Sequence, residues 1–432
     1  MTIEQFYKIF LQYPIISTDT RKIKKDSLFF ALKGERFNAN TFAEQALEQG
    51  AAYVVIDEAE YKKSDKFVLV DDVLVFLQNL AKYHRQQLQI PVIAIVGSNG
   101  KTTTKELIHS VLSEKFVTLS TPGNFNNHIG LPLTLLMINP EHQMAVIEMG
   151  ANHVGENAFL CEIAEPNFGL ITNNGKDHLD GFGSLEGVAK SNSELYYYLL
   201  KNNGLAFVNA HDEWLLRMAA RLENKKTYAG NFDGKEKSAD YAAFASQLQP
   251  NIEFNIHKSS SITSHLSGDY NFDNIMVAVA LGLHFGMSEE EIKRGIEKYQ
   301  PKNNRSQIIK TEKNTVYMDA YNANPSSMEL ALKNTAMMSN PNKVFILGDM
   351  FELGVYAEAE HKYIIHLCQQ LNLENVMLVG SEFKKYNTSA YMCFETTQEA
   401  NDYLKKTRPL KESFVFIKGS RGMKLETLLE VL

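Results

Sequence analysis

Cysteine is scarce in this 432-residue chain: Cys161, Cys368 and Cys393 lie far apart in the sequence. Such scatter excludes a disulfide framework and any cysteine-rich metal module. Each thiol reads instead as a small apolar side chain suited to a reducing compartment. No apolar run approaches the ~20 residues needed to span a bilayer. The N-terminal MTIEQFYKIF has no basic segment followed by an apolar one, so no secretory leader is expected. An excess of positive charge is missing too. The formal net charge of −7 argues against a chain built chiefly to grip nucleic acid or an anionic membrane. Any phosphate site must then be local, made from a few basic side chains and backbone N–H groups. Repeats and low-complexity tracts are absent. The expectation is a cytoplasmic protein, monomeric by default, with neither nucleic acid nor membrane as a partner.

What is present is ordinary globular material, 44% hydrophobic and 22% charged, enough for two to four domains at roughly 100–200 residues each. Three blocks emerge, at residues 1–87, 88–300 and 301–432. The first holds short apolar runs at 28–32, 53–56 and 67–70, with a helical stretch Phe42 to Gln49 closed by Gly50 as a C-cap. The pattern breaks near Gln87–Pro91. The second block alternates buried strands (Val92–Val96, Met144–Ile147, Gly169–Thr172) with amphipathic helices. One helix, Thr103 to Phe116, stripes Leu107, Ile108, Val111 and Leu112 on one face. Ser288 with Glu291 forms a capping box opening a helix over Glu289–Tyr299. Pro301-Lys302-Asn303-Asn304 reads as a linker, and strands restart at Val316–Met318, Val344–Leu347, Val376–Val379 and Phe414–Ile417. Strand–helix alternation of this kind implies an α/β fold with mostly parallel sheets covered by helices on both faces.

The strongest local signal runs from Ile93 to Thr104: an apolar strand, the turn Gly97-Ser98-Asn99-Gly100, Lys101-Thr102-Thr103, then a helix. Glycines let backbone N–H groups close on phosphate oxygens, and the helix N-terminus adds a favourable field. Lys101 would supply a point charge to the outer phosphates and Thr102 a hydroxyl to Mg²⁺. The usual longer spacing would place glycine at position 95, where this chain has Ile95. An ordinary strand–helix turn is the alternative, which the flanking strand and helix disfavour.

Other polar residues gather at predicted strand ends, where open α/β sheets collect ligands. Glu148 ends one strand, and His178 follows another in Thr172-Asn173-Asn174-Gly175-Lys176-Asp177-His178. Both suit metal ligation beside Thr102, or else solvent and backbone contacts. Gly123-Asn124-Phe125-Asn126-Asn127-His128-Ile129-Gly130 suits either turns or a loop presented to a polar substrate. Asp319-Ala320-Tyr321-Asn322-Ala323-Asn324-Pro325 suits a ribose contact or a helix-capping turn.

Together these segments resemble the Mur ligase family. The match rests on Gly123–Pro132, Glu148-Met149-Gly150-Ala151, Asp319–Pro325, Leu347-Gly348-Asp349-Met350-Phe351-Glu352-Leu353-Gly354 and Lys418–Gly422. Asp19-Thr20-Arg21 and Phe30–Gly34 resemble the family's UDP-sugar-side domain. The likeness runs in order over nearly the whole chain. It implies three domains: a small N-terminal α/β domain for a UDP-muramoyl group, a central P-loop-type domain for ATP, and a C-terminal Rossmann-like domain. It also implies ATP-dependent ligation of D-alanyl-D-alanine to UDP-N-acetylmuramoyl-tripeptide through an acyl phosphate, with Mg²⁺. By the same resemblance Gly97, Ser98, Asn99, Gly100, Lys101, Thr102 and Thr103 would cradle the phosphates, and Thr102 and Glu148 would bind one Mg²⁺. His178 would help hold a second metal. Asn271 and Asn274 would face the adenine, unless they simply cap the helix that follows. Arg305 and Asp319 would reach from the third domain to phosphate and ribose. Lys101, His178 and Arg305 would be the catalytic residues, and Thr20, Arg21, Asn124, Asn127, His128, Asn322 and Asn324 would contact substrate.

The chain departs from the family pattern at one telling place. Members carry a carbamylated lysine on the helix after a Gly-Phe-Gly-Ser turn, here Gly181–Ser184, and the matching position is Asn192. Lys190 is two residues away, about 200° around a helix. Asn174 and Asp177 are also more polar than the pattern beside His178. Two other readings stand beside the first: a sister ligase adding the third-position diamino acid, whose Asp-Asn-Pro-Arg signature is absent, and a nucleotide-binding paralogue with weakened catalysis.

Overall fold

The structure, a computed structural model, describes residues 1–257, 260–340, 342–388 and 391–432. Short, fully buried apolar segments become the strands, as period-free apolar runs do when a sheet is covered on both faces. They assemble into three main sheets in chain order. The first places Ile16–Ser17, Leu28–Phe30, Tyr53–Ile56 and Phe67–Leu69 side by side, all parallel.

The second sheet has nine strands. Val92–Val96 lies at its centre, between Phe168–Ile171 and Met144–Glu148. All of its strands run in one direction except Glu253–Ile256, which pairs antiparallel with both Tyr241–Gln247 and the edge strand Ile262–Thr263. The sheet is thus mostly parallel, as the alternation predicts, with one reversed strand near its edge. Glu253–Ile256 alternates half-buried and buried residues, which suits an antiparallel strand with one solvated face. The third sheet orders Gln307–Lys310, Thr315–Asp319, Phe414–Lys418, Lys343–Gly348, Val376–Val379 and Met392–Phe394, with only the first antiparallel.

Local signals in the sequence have clear structural counterparts, with shifted ends. The phosphate-loop helix spans Lys101–Leu112 rather than Thr103–Phe116, because Gly100, at φ +81°, serves as its N-cap. The helix predicted over Phe42 to Gln49 is present as Ala43–Glu48, preceded by a 3₁₀ turn, Ala39–Phe42. The Asn38 side chain accepts from the N–H of Asn40, so the chain first turns tightly. Gly50 follows that helix at φ +105°, a backbone state glycine adopts without strain. The capping box is present as read: Ser288 Oγ accepts from Glu291 N–H, and the Glu291 carboxylate accepts from Ser288 N–H at 2.8 Å.

The junctions between sheets differ in chemistry. One apolar cluster runs through the first two: Phe6, Phe10 and Phe30 pack with Phe76, Leu77 and Leu80 of helix Val73–Gln86 and continue into Leu131, Leu135 and Leu160. Buried polar groups on the same helix seal the junction. Arg85 donates to the carbonyls of Leu88, Ala164 and Glu165 and to Asn167 Oδ1, each at 3.0 Å. His84 donates from Nε2 to the carbonyl of Ile138 and accepts from the Tyr7 hydroxyl at Nδ1, both at 2.9 Å. The third sheet has its own core on both faces, and few of its apolar residues are shared with the second. Among the described residues no helix is long and apolar enough to cross a membrane.

Replacing Arg85 with Met keeps the bulk but leaves buried carbonyls without donors, and should lower unfolding stability by about 3 kcal/mol, measurable by urea denaturation. Burial holds the His84 imidazole below its ordinary range. Below the unfolded pKa of about 6.5 the unfolded chain therefore binds more protons than the folded one, and stability falls with pH. Wild-type protein should lose stability between about pH 7 and pH 5 more steeply than His84→Gln; equal slopes would disprove this assignment.

Candidate functional site

Parallel strands deliver their carboxyl ends to one side of a sheet. In the second sheet Met144–Glu148, Val92–Val96 and Phe168–Ile171 are neighbours. Their ends therefore bring Glu148, the glycine loop and the segment Asn173–His178 together. The third sheet faces them with Arg305, Asp319, Tyr321, Asn322, Asn324 and Lys418, enclosing a cleft of about 380 Å³.

The loop is shaped by what its glycines avoid. Gly97 sits at φ +130°, where a β-carbon would collide with Thr172. At Gly100 a β-carbon would meet Asn274 Oδ1 at 2.7 Å. The N–H groups of Ser98 and Asn99 bond to Asn173, at 3.0 Å each. Those of Lys101, Thr102 and Thr103 open the helix and have no intrahelical carbonyl to bond. Lys101 Nζ folds over the loop onto the carbonyls of Gly97 and Ser98. The result is a lysine and a fan of N–H donors over one small volume, an arrangement that binds phosphate oxygens.

Glu148 is buried to 3% exposure. Its Oε1 accepts from Thr102 Oγ1 at 3.2 Å and from Asn126 Nδ2 at 2.9 Å. Its backbone N–H donates to Thr121 Oγ1 at 2.9 Å. Oε2 has no hydrogen-bond donor; the nearest cation is Lys105 Nζ, 3.8 Å away and itself buried, donating to the Thr121 carbonyl. A buried anionic oxygen without a donor is costly, and a divalent cation would satisfy it. Among the described residues no group of three or more His, Cys, Asp or Glu is placed to hold a metal. Mg²⁺ takes one or two carboxylates and completes its shell with phosphate oxygens and water. Glu148 and the Thr102 hydroxyl fit that role.

His178 Nδ1 lies 2.6 Å from Glu352 Oε2 of the third sheet's loops. The histidine's hydrogen bond holds the Glu352 carboxyl below the usual range. Asp177 accepts from Ser98 Oγ at 2.5 Å, tying the two loops together. Asn192 is buried and donates to Asn174 Oδ1 at 2.9 Å, while Lys190 points to solvent. The helical register read from the sequence thus holds, and an amide occupies the position nearest the strand-end loop. Two of the three polar departures, Asn174 and Asn192, satisfy one another.

On the opposite wall the Arg305 guanidinium stacks on Tyr321, 3.7 Å from the ring centroid, with Arg421 at 4.8 Å. Asp319 is already paired with Lys418 Nζ at 2.5 Å and accepts from the N–H of Ser306 at 3.2 Å. Asn324 caps helix Pro325–Met337 and donates across the cleft to Asn99 Oδ1 at 2.8 Å. The capping turn expected after Asp319 is therefore real.

Several expectations need correction. Asn271 and Asn274 line the cleft but cap nothing: they lie inside helix Asp269–His284, whose N-cap is Gly268. Asn271 donates to the carbonyl of Ser267, and Asn274 accepts from Thr104, which locks this helix to the phosphate-loop helix. Asn124 and Asn127 line the cleft, but His128 does not. The His128 carbonyl accepts from Gln78. Thr20 and Arg21, assigned to the UDP-sugar side, lie in the 3₁₀ turn Thr20–Lys22 apart from this cleft, a position that leaves that assignment standing; Arg21 pairs with Asp19 and stays exposed.

Lys105 stands in none of the motifs read from the sequence, and Asn126, Asn173 and Lys418 stand in motifs without a role of their own. Lys105 follows Lys101 by four residues on one helix face, and Lys418 ends a parallel strand. Those two signals were available. Asn126 and Asn173 act through contacts between loops distant in sequence.

Known proteins resemble this chain over nearly its whole length. Family models match in order: the Mur ligase family catalytic domain at residues 12–95, the Mur ligase middle domain at 95–282 and the Mur ligase glutamate ligase domain at 304–421. The chain is 36% identical over 429 residues to the UDP-N-acetylmuramoyl-tripeptide--D-alanyl-D-alanine ligase of Bacillus subtilis, covering 96% of this chain and 92% of that one. The Escherichia coli enzyme of the same name is 33% identical, with 96% and 93% covered. Among solved structures, MurF from Acinetobacter baumannii superposes with a TM-score of 0.83 at 32% identity, covering 96% of this chain and 92% of that one. The MurF ligase of Thermotoga maritima reaches a TM-score of 0.84 at 24% identity, with 98% and 97% covered, and shares the fold. With three family models matching in order and a relative at 36% identity covering 96% of its length, the chain belongs to the Mur ligase family.

Proposed function

We propose that this chain joins D-alanyl-D-alanine to UDP-N-acetylmuramoyl-tripeptide at the expense of ATP, in the synthesis of peptidoglycan precursor. Relatives bearing that activity's name match 96% of the chain. The carrying observation is the convergence of Lys101, Glu148, Arg305 and Lys418 in one cleft fed by two sheets. The division we propose is 1–87 for the UDP-muramoyl group, 88–300 for ATP and 301–432 for closure over both.

The chemistry needs positioning and charge neutralisation. A carboxylate is a poor electrophile. Transfer of the γ-phosphoryl group to the tripeptide's terminal carboxylate makes its oxygen a leaving group. The dipeptide amine then attacks the acyl carbon, and phosphate departs. Lys101 and the first-turn N–H groups hold the phosphates while negative charge moves across them. Mg²⁺ bound by Thr102 and Glu148 would neutralise further charge between the phosphates. Arg305, held flat by Tyr321, supplies a cation from the opposite wall. Docking of the third sheet over the cleft keeps water from the acyl phosphate.

A second reading, a nucleotide-binding paralogue with weakened catalysis, draws on Asn192, an amide where the family carries a carbamylated lysine. Phosphate release measured with ATP, the tripeptide precursor and D-alanyl-D-alanine separates the readings. Release that needs all three supports the ligase; bound ATP without release supports the paralogue. Release driven instead by a diamino acid on the shorter precursor supports the sister ligase.

Lys101→Ala should cut phosphate release by about 100-fold or more with an unchanged circular dichroism spectrum, since it removes no core contact. Asn192→Lys should lower the Mg²⁺ concentration needed for half-maximal release when bicarbonate is supplied. An unaltered Mg²⁺ titration would detach position 192 from the metal.

A further inference from the structure

His178 and Glu352 meet across the second and third sheets at 2.6 Å, Nδ1 to Oε2. Both hold left-handed backbone, at φ +45° and +62°, which residues bearing a β-carbon adopt only when their surroundings demand it. The surroundings are specific. Asp180 N–H donates to the Glu352 carbonyl at 3.2 Å, and the Tyr356 hydroxyl donates to the Gly183 carbonyl at 2.7 Å. Leu179 inserts into the third sheet's core beside Met350 and Leu353. Gly354 holds left-handed backbone at φ +51°, and a β-carbon there would press on the Asp180 carboxylate. On the loop's other flank Asp349 is anchored by the N–H groups of Glu382 and Phe383, at 3.0 and 2.9 Å. The turn that carries Glu352 is thus fixed at both ends.

The pair is too exposed to serve stability: the side chains are 25% and 59% accessible, and ion pairs in water contribute little. What it does determine is direction. In a neutral histidine whose Nδ1 donates to a carboxylate, the lone pair is on Nε2, aimed away from that partner, as in histidines oriented towards metals. His178 lines the cleft, so Nε2 is the nitrogen left to serve it.

We propose that Glu352 is a positioning residue: docked from the third sheet, it holds the His178 imidazole in its Nδ1–H form with Nε2 presented to the phosphate cleft. Closure and chemistry are thereby linked, because the histidine is oriented only while the third sheet is docked. The proposal rests on the ligase reading above but has its own test. A second ion pair on the same face, Lys176 Nζ to Glu360 Oε1 at 2.6 Å, does not touch His178 and provides the control.

Imidazole-¹⁵N-labelled protein, free of metal and nucleotide at pH 8, reports the tautomer directly, with the His178 signal assigned by His178→Gln. Wild type and Glu352→Gln should show the Nδ1–H form, since an amide oxygen also accepts. Glu352→Ala should revert to the Nε2–H form that free imidazole prefers, and Lys176→Ala should leave the tautomer unchanged. In turnover, Glu352→Ala should lower kcat by about 10- to 100-fold with little change in KM for ATP, and Glu352→Gln should recover most of it. An Nε2–H ring in the wild type, or an unaltered tautomer in Glu352→Ala, overturns the proposal, as does an equal shift in Lys176→Ala. Wild-type protein with the Nδ1–H ring but no phosphate release would overturn the ligase reading while upholding this one.

Discussion

A carboxylate buried at the end of a parallel strand needs cations and donors, and the cleft is organised around that need. Glu148 is surrounded by Thr102, Asn126 and Lys105, yet one of its oxygens still has no donor. The same side of the sheet presents Lys101 and the open N–H groups of the phosphate-loop helix. Anionic oxygen, cation and N–H fan lie side by side, although Lys101 and Glu148 are distant in sequence, because adjacent parallel strands end there. Phosphate and a divalent cation would complete a site that protein groups alone leave unbalanced.

The two junctions between sheets follow from different physics. The first and second share one apolar core, sealed by Arg85 and His84, and separating them would expose that whole surface. The second and third meet mainly through polar contacts: Lys176 with Glu360, His178 with Glu352, Asn99 with Asn324 and Gln249 with Asn334. Such contacts exchange readily for water. A site that must admit substrates and then exclude water gains from that difference.

The polar departures beside His178 form a small self-satisfied system. Asn192 bonds to Asn174, and Asp177 bonds to Ser98 of the phosphate loop. Substituting one of these groups alone would leave a partner unmatched in a largely buried place, so they are best understood as a set.

The residue order alone determined the strand–helix alternation, the phosphate loop, the capping box at Ser288 and the helical register that turns Asn192 inward and Lys190 outward. These depend on neighbours within a few residues, where periodicity and glycine stereochemistry act directly. The antiparallel edge at Glu253–Thr263, the pairing of Asp319 with Lys418, the lock between Asn274 and Thr104, and the meeting of His178 with Glu352 were decided by tertiary structure. Each joins residues distant in the chain, and their approach is set by how sheets stack and loops dock. Local pattern carries no record of those distances.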